Sequence, residues 1–188
     1  MSTTKHPELD AALSALADSQ EDARRTTDAY GNEYFWYHLL TPGHLSKAAG
    51  HLAAEGARLT TITAYNRKQL ADSAQDVAYH FEVGKSVIYT VTVTLDQECA
   101  AVESITSLFP NADWHEREMR ELCAVRVDGH PNPRRLFLDE SIEEGILGEA
   151  VPLSIMMNGA CTTDLWEKIL KDRVLAETNS AGREEAGS

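Results

Sequence analysis

Apolar positions along the chain switch between two periods. Over residues 7–27, Leu9, Ala12, Leu13, Leu16, Ala17 and Ala23 recur at helical spacing among charged neighbours, which predicts one amphipathic helix. Residues 34–40 (YFWYHLL) then read as a compact buried strand closed by Thr41-Pro42-Gly43. Helical character resumes over 45–55, with Gly56 placed to cap the C-terminus. Residues 58–65 (RLTTITAY), 77–83 (VAYHFEV) and 87–95 (VIYTVTVTL) are rich in β-branched side chains and alternate apolar with polar, as half-buried strands do. Gly84-Lys85 stands between the last two, where a hairpin turn needs a permissive residue.

Beyond 102–108 the spacing predicts a charged helix from an Asp113 N-cap to about Cys123. The following Asp128-Gly129-His130-Pro131-Asn132-Pro133 is forced into an extended path by its prolines. The remainder is irregular up to a helix near 163–176, and the end, TNSAGREEAGS, has the composition of a disordered tail. Helix, strand, helix and then a run of strands favour an α+β fold: a two-layer domain with a mixed, mostly antiparallel sheet and helices on one face, plus an extended C-terminal segment. The expected boundaries are a domain over 1–138, an extended partner-docking segment with its helix over 139–175, and a tail over 176–188. Within 139–163, Gly145, Gly148, Pro152 and Gly159 suit either a stretch wrapped on a partner, with Met156-Met157 as adaptable apolar contacts, or a long loop on its own domain.

Charge narrows the partners. Lys and Arg total 17 against 30 Asp and Glu, for a net charge of -13, and such a field repels phosphate backbones and anionic lipid. Nucleic acid is therefore not an expected partner. No apolar run reaches the roughly 18 residues that a spanning helix needs, and MSTTKHPELD lacks the basic-then-apolar order of a secretion signal. The expectation is a cytoplasmic chain that meets a membrane only through partners. Cys99, Cys123 and Cys161 lie too far apart in sequence for the close pairs of zinc ribbons or iron-sulfur sites, and read as reduced, separately buried thiols.

The densest chemistry lies in Trp114-His115-Glu116-Arg117-Glu118-Met119-Arg120-Glu121-Leu122. On a helix, Glu116 with Arg120 and Arg117 with Glu121 are i,i+4 partners, each pair worth about 0.2–0.5 kcal/mol if exposed. A catalytic alternative makes the chain a stand-alone metal-dependent hydrolase or lyase, with Glu118 as base and His115 and His130 around a metal. The helical HExxH zinc motif is absent, since Met119 stands four residues after His115. GxGxxG, GxxxxGK[ST] and GxSxG are absent too, so no nucleotide, phosphate or acyl-enzyme site is defended by motif. Arg134-Arg135, behind a rigid loop, suits a grip on a partner's carboxylates as well as a salt bridge inside the domain.

Read continuously, Glu116-Arg117-Glu118 and then Gly129-His130-Pro131-Asn132-Pro133-Arg134-Arg135-Leu136 resemble the signature of the complex I thirty-kilodalton subunit family, whose members serve NADH:quinone oxidoreductase and, as a related subunit, membrane-bound [NiFe] hydrogenases. The two blocks fall at matching separation, and Ala112-Asp113-Trp114 resembles the family's approach to them. Two departures stand out: Glu121-Leu122-Cys123-Ala124 replaces the usual Asp-Met-Phe-Gly, and Asn132-Pro133 replaces Asp-Leu. They tilt the assignment to a divergent branch, the hydrogenase branch slightly ahead of the quinone branch. The resemblance implies a non-catalytic peripheral subunit on the cytoplasmic face of the membrane, without cofactor or metal of its own. Iron-sulfur clusters, and nickel-iron in the hydrogenase branch, would belong to partner subunits. Its implied neighbours are a large subunit with the quinone or [NiFe] site and iron-sulfur subunits. The docking and structural motif it implies comprises Glu116, Arg117, Glu118, Glu121, Gly129, His130, Pro131, Arg134 and Arg135, with Glu116 or Glu118 bracing Arg134 or Arg135.

Overall fold

In the computed structural model, residues 5–18, 24–66, 74–96, 100–142 and 144–145 are described. All belong to the first of two units, Met1–Gly148. The extended segment beyond residue 145, its Met156-Met157, the expected helix and tail, and Cys99 and Cys161 lie outside the described residues.

Strands β1 (Arg24–Thr27), β2 (Glu33–His38), β3 (Arg58–Asn66), β4 (Ala74–Val83) and β5 (Val87–Asp96) form one sheet in the order β1-β2-β5-β4-β3. Only β2 and β5 run parallel; the other three pairings are antiparallel, so the sheet is mixed and mostly antiparallel. Period-two alternation and register together build the core. Phe35, Tyr89, Phe81 and Leu59 align across four strands, and Tyr37, Val91, Tyr79 and Ile62 form the next row. All eight side chains are buried. A one-residue shift would turn every one of them to the other face. The β4–β5 connection is the expected hairpin, with Gly84 at φ +67°, a left-handed conformation that costs glycine little.

Helices α1 (Pro7–Leu16) and α2 (Leu45–Ala54) cover this apolar face, burying Leu9 and Leu13 from one and Leu45, Ala48, Ala49 and Leu52 from the other. The α2 positions are the i, i+3, i+4 and i+7 of a helical stripe. Asp10 ties α1 to the sheet by accepting the hydroxyls of Tyr37 at 3.3 Å and Tyr89 at 2.8 Å. Burial, with Asp10 adding to it, pushes the Tyr37 phenol up to about 12.

The first helix departs from expectation. It stops at Leu16, and Ala17 turns extended to bridge Leu39, with Asp18 N–H donating to the His38 carbonyl at 2.8 Å. Arg24–Thr27, expected at the end of that helix, is instead edge strand β1. Pairing with β2 outweighs the weak helical spacing, and Thr26-Thr27 are β-branched residues that suit a strand.

Helix α3 (Ala112–Cys123) lies against β3, the other edge of the sheet. Asn111 Nδ2 donates to the Leu59 carbonyl at 2.8 Å, Gln75 Nε2 to the Cys123 carbonyl at 2.9 Å, and Cys123 Sγ to the Ala64 carbonyl at 3.8 Å. Its N-cap is Asn111, not Asp113, which instead sits in the first turn with its carboxylate available to other partners. Flanking α3 are two short parallel strands, β6 (Ala101–Glu103) and β7 (Arg126–Asp128).

Candidate functional site

The parallel pair β6–β7 carries two loops to one side of α3. Past Glu103 the chain presents Ser104-Ile105-Thr106; past Asp128 it turns at Gly129, φ +76°, and presents His130. Both converge on Glu116, whose side chain is wholly buried. Ser104 Oγ donates to Glu116 Oε2 at 2.6 Å, Thr106 Oγ1 to the same oxygen at 2.9 Å, and the Ile105 N–H to Oε1 at 2.8 Å. His130 Nε2 lies 3.6 Å from Glu116 Oε2 and 3.5 Å from Asp113 Oδ1. Because His130 Nδ1 accepts the Asn132 N–H at 3.0 Å, Nε2 is left as the donor, directed at the Asp113 carbonyl 3.3 Å away. His130 is thus locked from both sides.

One turn further along α3, Glu121 does the same for the next segment. The N–H of Leu136 donates to Oε2 at 2.6 Å, that of Leu138 to Oε1 at 2.5 Å, and that of Phe137 reaches Oε1 at 3.1 Å and Oε2 at 3.2 Å. Burial pushes the Glu121 carboxyl up, but these three backbone donors and the Arg135 guanidinium overcome that effect and hold it below its ordinary value.

The arginines of the helix grip backbone between and beyond the two carboxylates. Arg117 Nε donates to the Arg134 carbonyl at 2.9 Å and its Nη2 to the Arg135 carbonyl at 2.6 Å. Arg120 Nη1 donates to the Pro133 carbonyl at 2.6 Å, while Nε and Nη2 pair with Glu144 Oε1, each at 2.9 Å. Arg135 Nη2 donates to the Ile142 carbonyl. Residues 133–138 and Glu144 are therefore strapped along α3 by three side chains of the helix, Arg117, Arg120 and Glu121, while Glu116 lies beside His130. Rigid guanidinium forks suit this task, since each offers several donors to fixed carbonyls.

This arrangement corrects the local pairing expected from helical spacing. Arg117 pairs with Asp113, Nη1 to Oδ2 3.7 Å, and Arg120 with Glu144, in place of Glu121 and Glu116. The expected contact of Glu116 or Glu118 with Arg134 or Arg135 is replaced by Arg117 on their carbonyls and by Glu121 beside Arg135. Glu118 projects outward, with His115 Nδ1 4.0 Å from its Oε2. Arg134 is exposed and donates to Asn132 Oδ1 at 3.0 Å. The hydrolase constellation does not assemble: His115 and Glu118 line a groove beside β3 with Met119 and Cys123, while His130 is buried on the side of Glu116. In that groove burial, then the Glu118 charge, pushes the Cys123 thiol up, away from the reactive thiolate.

Sequence reading missed Ser104, Thr106, Asp113, Arg120 and Glu144 as parts of the site. Arg120 had a signal, standing one turn after Arg117. Ser104 and Thr106 carried none, because only the β6–β7 pairing brings them to Glu116.

Residues 37–159 match the family model described as "Respiratory-chain NADH dehydrogenase, 30 Kd subunit". Among curated proteins, the chain is 42% identical over 80 residues to a subunit of the NADH-quinone oxidoreductase of Mesorhizobium japonicum, an alignment covering 42% of this chain and 39% of that one. Over 80 residues it is 38% identical to the namesake subunit from Phenylobacterium zucineum, covering 42% of this chain and 38% of the relative. The aligned stretch thus spans about two fifths of either relative's length. Among solved structures, a chain of the membrane-bound sulfane sulfur reductase, described as an archaeal respiratory membrane complex, superposes with a TM-score of 0.62 at 12% identity, over 85% of this chain and 94% of that one. A trypsin-resistant fragment of Nqo5 gives a TM-score of 0.51 at 17% identity, over 68% of this chain and 97% of the fragment. At these identities the structural likeness concerns the fold.

Proposed function

Because the chain belongs to the family of the 30 kDa subunit of respiratory-chain NADH dehydrogenase, we propose that it is a peripheral scaffold subunit of a membrane-bound oxidoreductase related to that enzyme. It holds no redox centre itself and docks on the large catalytic subunit, supporting electron transfer coupled to ion translocation. Iron-sulfur subunits are its further neighbours, and it meets the cytoplasmic face of the membrane only through them. No described helix is long and apolar enough to cross a membrane.

The observation that carries this reading is the use made of Glu116 and Glu121. A general acid or base must face a substrate with a lone pair or proton to exchange. These two carboxylates are buried, and their oxygens accept hydrogen bonds from six groups of the chain itself. With Arg117 and Arg120 on the carbonyls of residues 133–135, the charged helix therefore works as a brace that fixes the loops at residues 104–106 and 133–138. Gly129, His130, Pro131 and the carbonyls of Arg134 and Arg135 are the shaped part; Glu118 and the Arg134 guanidinium, which the fold leaves on the surface, are the groups offered to the large subunit. Trp114 and Phe137, 64% and 67% exposed, add apolar area on the same helix and strap.

Recovery of the chain from gently solubilised native membranes tests the proposal. Mass spectrometry is expected to find a large redox subunit with iron-sulfur proteins, and metal analysis to find iron. Nickel in the complex places it in the hydrogenase branch; iron and flavin without nickel place it in the quinone branch, to which the two curated relatives belong by name. Glu118→Gln and Arg134→Ala are expected to leave the fold intact and reduce recovery of the large subunit. A chain that emerges alone, or equal recovery with both variants, overturns the docking reading.

A further inference from the structure

The helices cover one face of the sheet; the opposite face holds an open groove of about 550 Å³ that crosses all five strands. Tyr34, Trp36 and Ile88 make its apolar wall, and Thr60, Thr61 and Thr90 contribute hydroxyls. Thr60 is there because the β3–β4 register shifts between Leu59 and Thr61, which sets two consecutive threonines in the groove.

The aromatic wall is fixed in advance. Trp36 is 43% exposed, yet its Nε1 donates to Thr92 Oγ1 at 2.8 Å and its ring meets His80 edge-on, 6.1 Å between centroids at 83°. His80 Nδ1 is in turn bonded to Thr90 Oγ1 at 3.0 Å. The indole presents its apolar surface without an unmet polar atom and loses little rotamer freedom on contact, the property of aromatic anchors at interfaces.

Charge separates this groove from the rest of the chain. Among its ten lining residues there is no carboxylate, although the whole sequence carries 30 Asp and Glu. The next outward residue on β4, Glu82, is held by Arg58 at 2.7 Å. Burial lowers His80 from its ordinary value, so at neutral pH the lining carries one formal charge, on Arg24 of the edge strand β1. The Arg24 guanidinium has no ion-pair partner among the described residues.

We propose that this face is a second docking surface, occupied by a segment of a neighbouring subunit that seats aliphatic or aromatic side chains against Tyr34, Trp36 and Ile88 and sets an Asp or Glu on Arg24. The inference rests on the assembly reading above and is separate from the α3 brace. A small ligand fits less well, since binding pockets enclose most of their ligand and this groove is open along its length. A second copy joined face to face offers Arg24 no ion-pair partner, since no lining residue of either groove carries a carboxylate.

The test uses the full-length chain assembled in its complex from native membranes, with the photo-reactive tyrosine analogue p-benzoylphenylalanine at position 34. The expected product joins position 34 to an apolar peptide of another subunit that carries an Asp or Glu within a few residues. Arg24→Glu is expected to cut its yield about tenfold, as loss of a contact worth about 1.4 kcal/mol does, and Arg24→Lys to retain it. Products confined to this chain, to lipid or to a second copy overturn the proposal, as does an apolar peptide without a nearby carboxylate. If the large subunit is recovered but position 34 yields nothing, this docking alone fails; if the chain is recovered without any partner, the assembly reading fails and this inference with it.

Discussion

Ala124 and Gly145 meet across the end of α3 so closely that a Cβ on Gly145 would lie 2.8 Å from the Cβ of Ala124. Gly145 N–H donates to the Glu121 carbonyl at 2.9 Å, so the strap returns to close the last turn of the helix. Both residues have positive φ, +79° for Gly145 and +56° for Ala124, and Ala124 is the C-cap of α3, a left-handed helix end of the kind that helices commonly give to glycine. Ala124→Gly is expected to stabilise the chain by about 0.5–1 kcal/mol, since an L-residue with a Cβ bears about 1–2 kcal/mol in the left-handed region and glycine returns part of that gain as unfolded-chain entropy. Gly145→Ala is expected to destabilise by about 2 kcal/mol or more through both strain and contact. The double variant should recover the contact part and keep the strain, giving a non-additive cycle in denaturant melts. Additive effects would show that the two residues do not meet.

Glu121 makes stability pH-dependent. Its folded-state carboxyl is held below the ordinary 4.5, against the opposing effect of burial, by the Leu136, Phe137 and Leu138 N–H groups and Arg135. A depressed folded value means that the contribution is fully present above about that ordinary value and is lost as pH falls through the folded one. Glu121→Gln should therefore melt at a lower temperature than the parent near neutrality, and the gap should narrow as the solution is acidified below 4.5. A gap that stays constant over thermal melts from neutral to acid would remove Glu121 from the acid-sensitive groups.

The sheet was legible because its central strands obey one rule throughout. Phe35, Tyr37, Tyr79, Phe81, Tyr89 and Val91 recur at every second position of their strands, and all are buried. Short or exposed elements escaped: β1 is exposed at all four residues, and β6 and β7 have three residues each, too few for periodicity to register. At the site, the motif and its helix could be read from residue types, whereas the partners of each charge could not. Helical spacing offered Arg120 to Glu116, but Ser104, Ile105 and Thr106 arrive from a strand with which Glu116 has no local relation. Tertiary donors to a buried carboxylate outweigh an exposed i,i+4 pair worth a few tenths of a kcal/mol.

The two arginines should differ from ordinary surface charges when truncated. Arg120→Met removes donors from the Pro133 carbonyl and from Glu144, and Arg117→Met from the carbonyls of Arg134 and Arg135. Each is expected to cost about 1.5–3 kcal/mol, the range for hydrogen bonds to a charged group. Loss of the strap's anchors should also open its backbone locally, so limited proteolysis of the folded variants should cut between residues 133 and 145 before elsewhere. Cleavage at unchanged rates in both variants would mean that the strap is held without them.

Glu116 and Glu118 stand two residues apart on one helix, and the fold uses them oppositely. Glu116 accepts from Ser104, Ile105 and Thr106 in a site closed to water, so Glu116→Gln must turn an amide N–H₂ toward at least one of these donors. The Ser104 and Thr106 hydroxyls must then rotate to accept from the amide, so charge-assisted hydrogen bonds give way to neutral ones, and a loss of about 1–3 kcal/mol is expected. Glu118→Gln removes a half-exposed charge whose neighbour is His115 at 4.0 Å, and stability should change by no more than about 0.5 kcal/mol. Urea melts of the two purified variants separate the roles. If both lose stability equally, Glu118 is part of the brace; if neither does, the hydrogen bonds around Glu116 do not hold the loops in solution. A stable Glu118→Gln chain that nevertheless fails to retain the large subunit would assign that carboxylate to docking, because its unchanged stability shows that the fold stands without the charge.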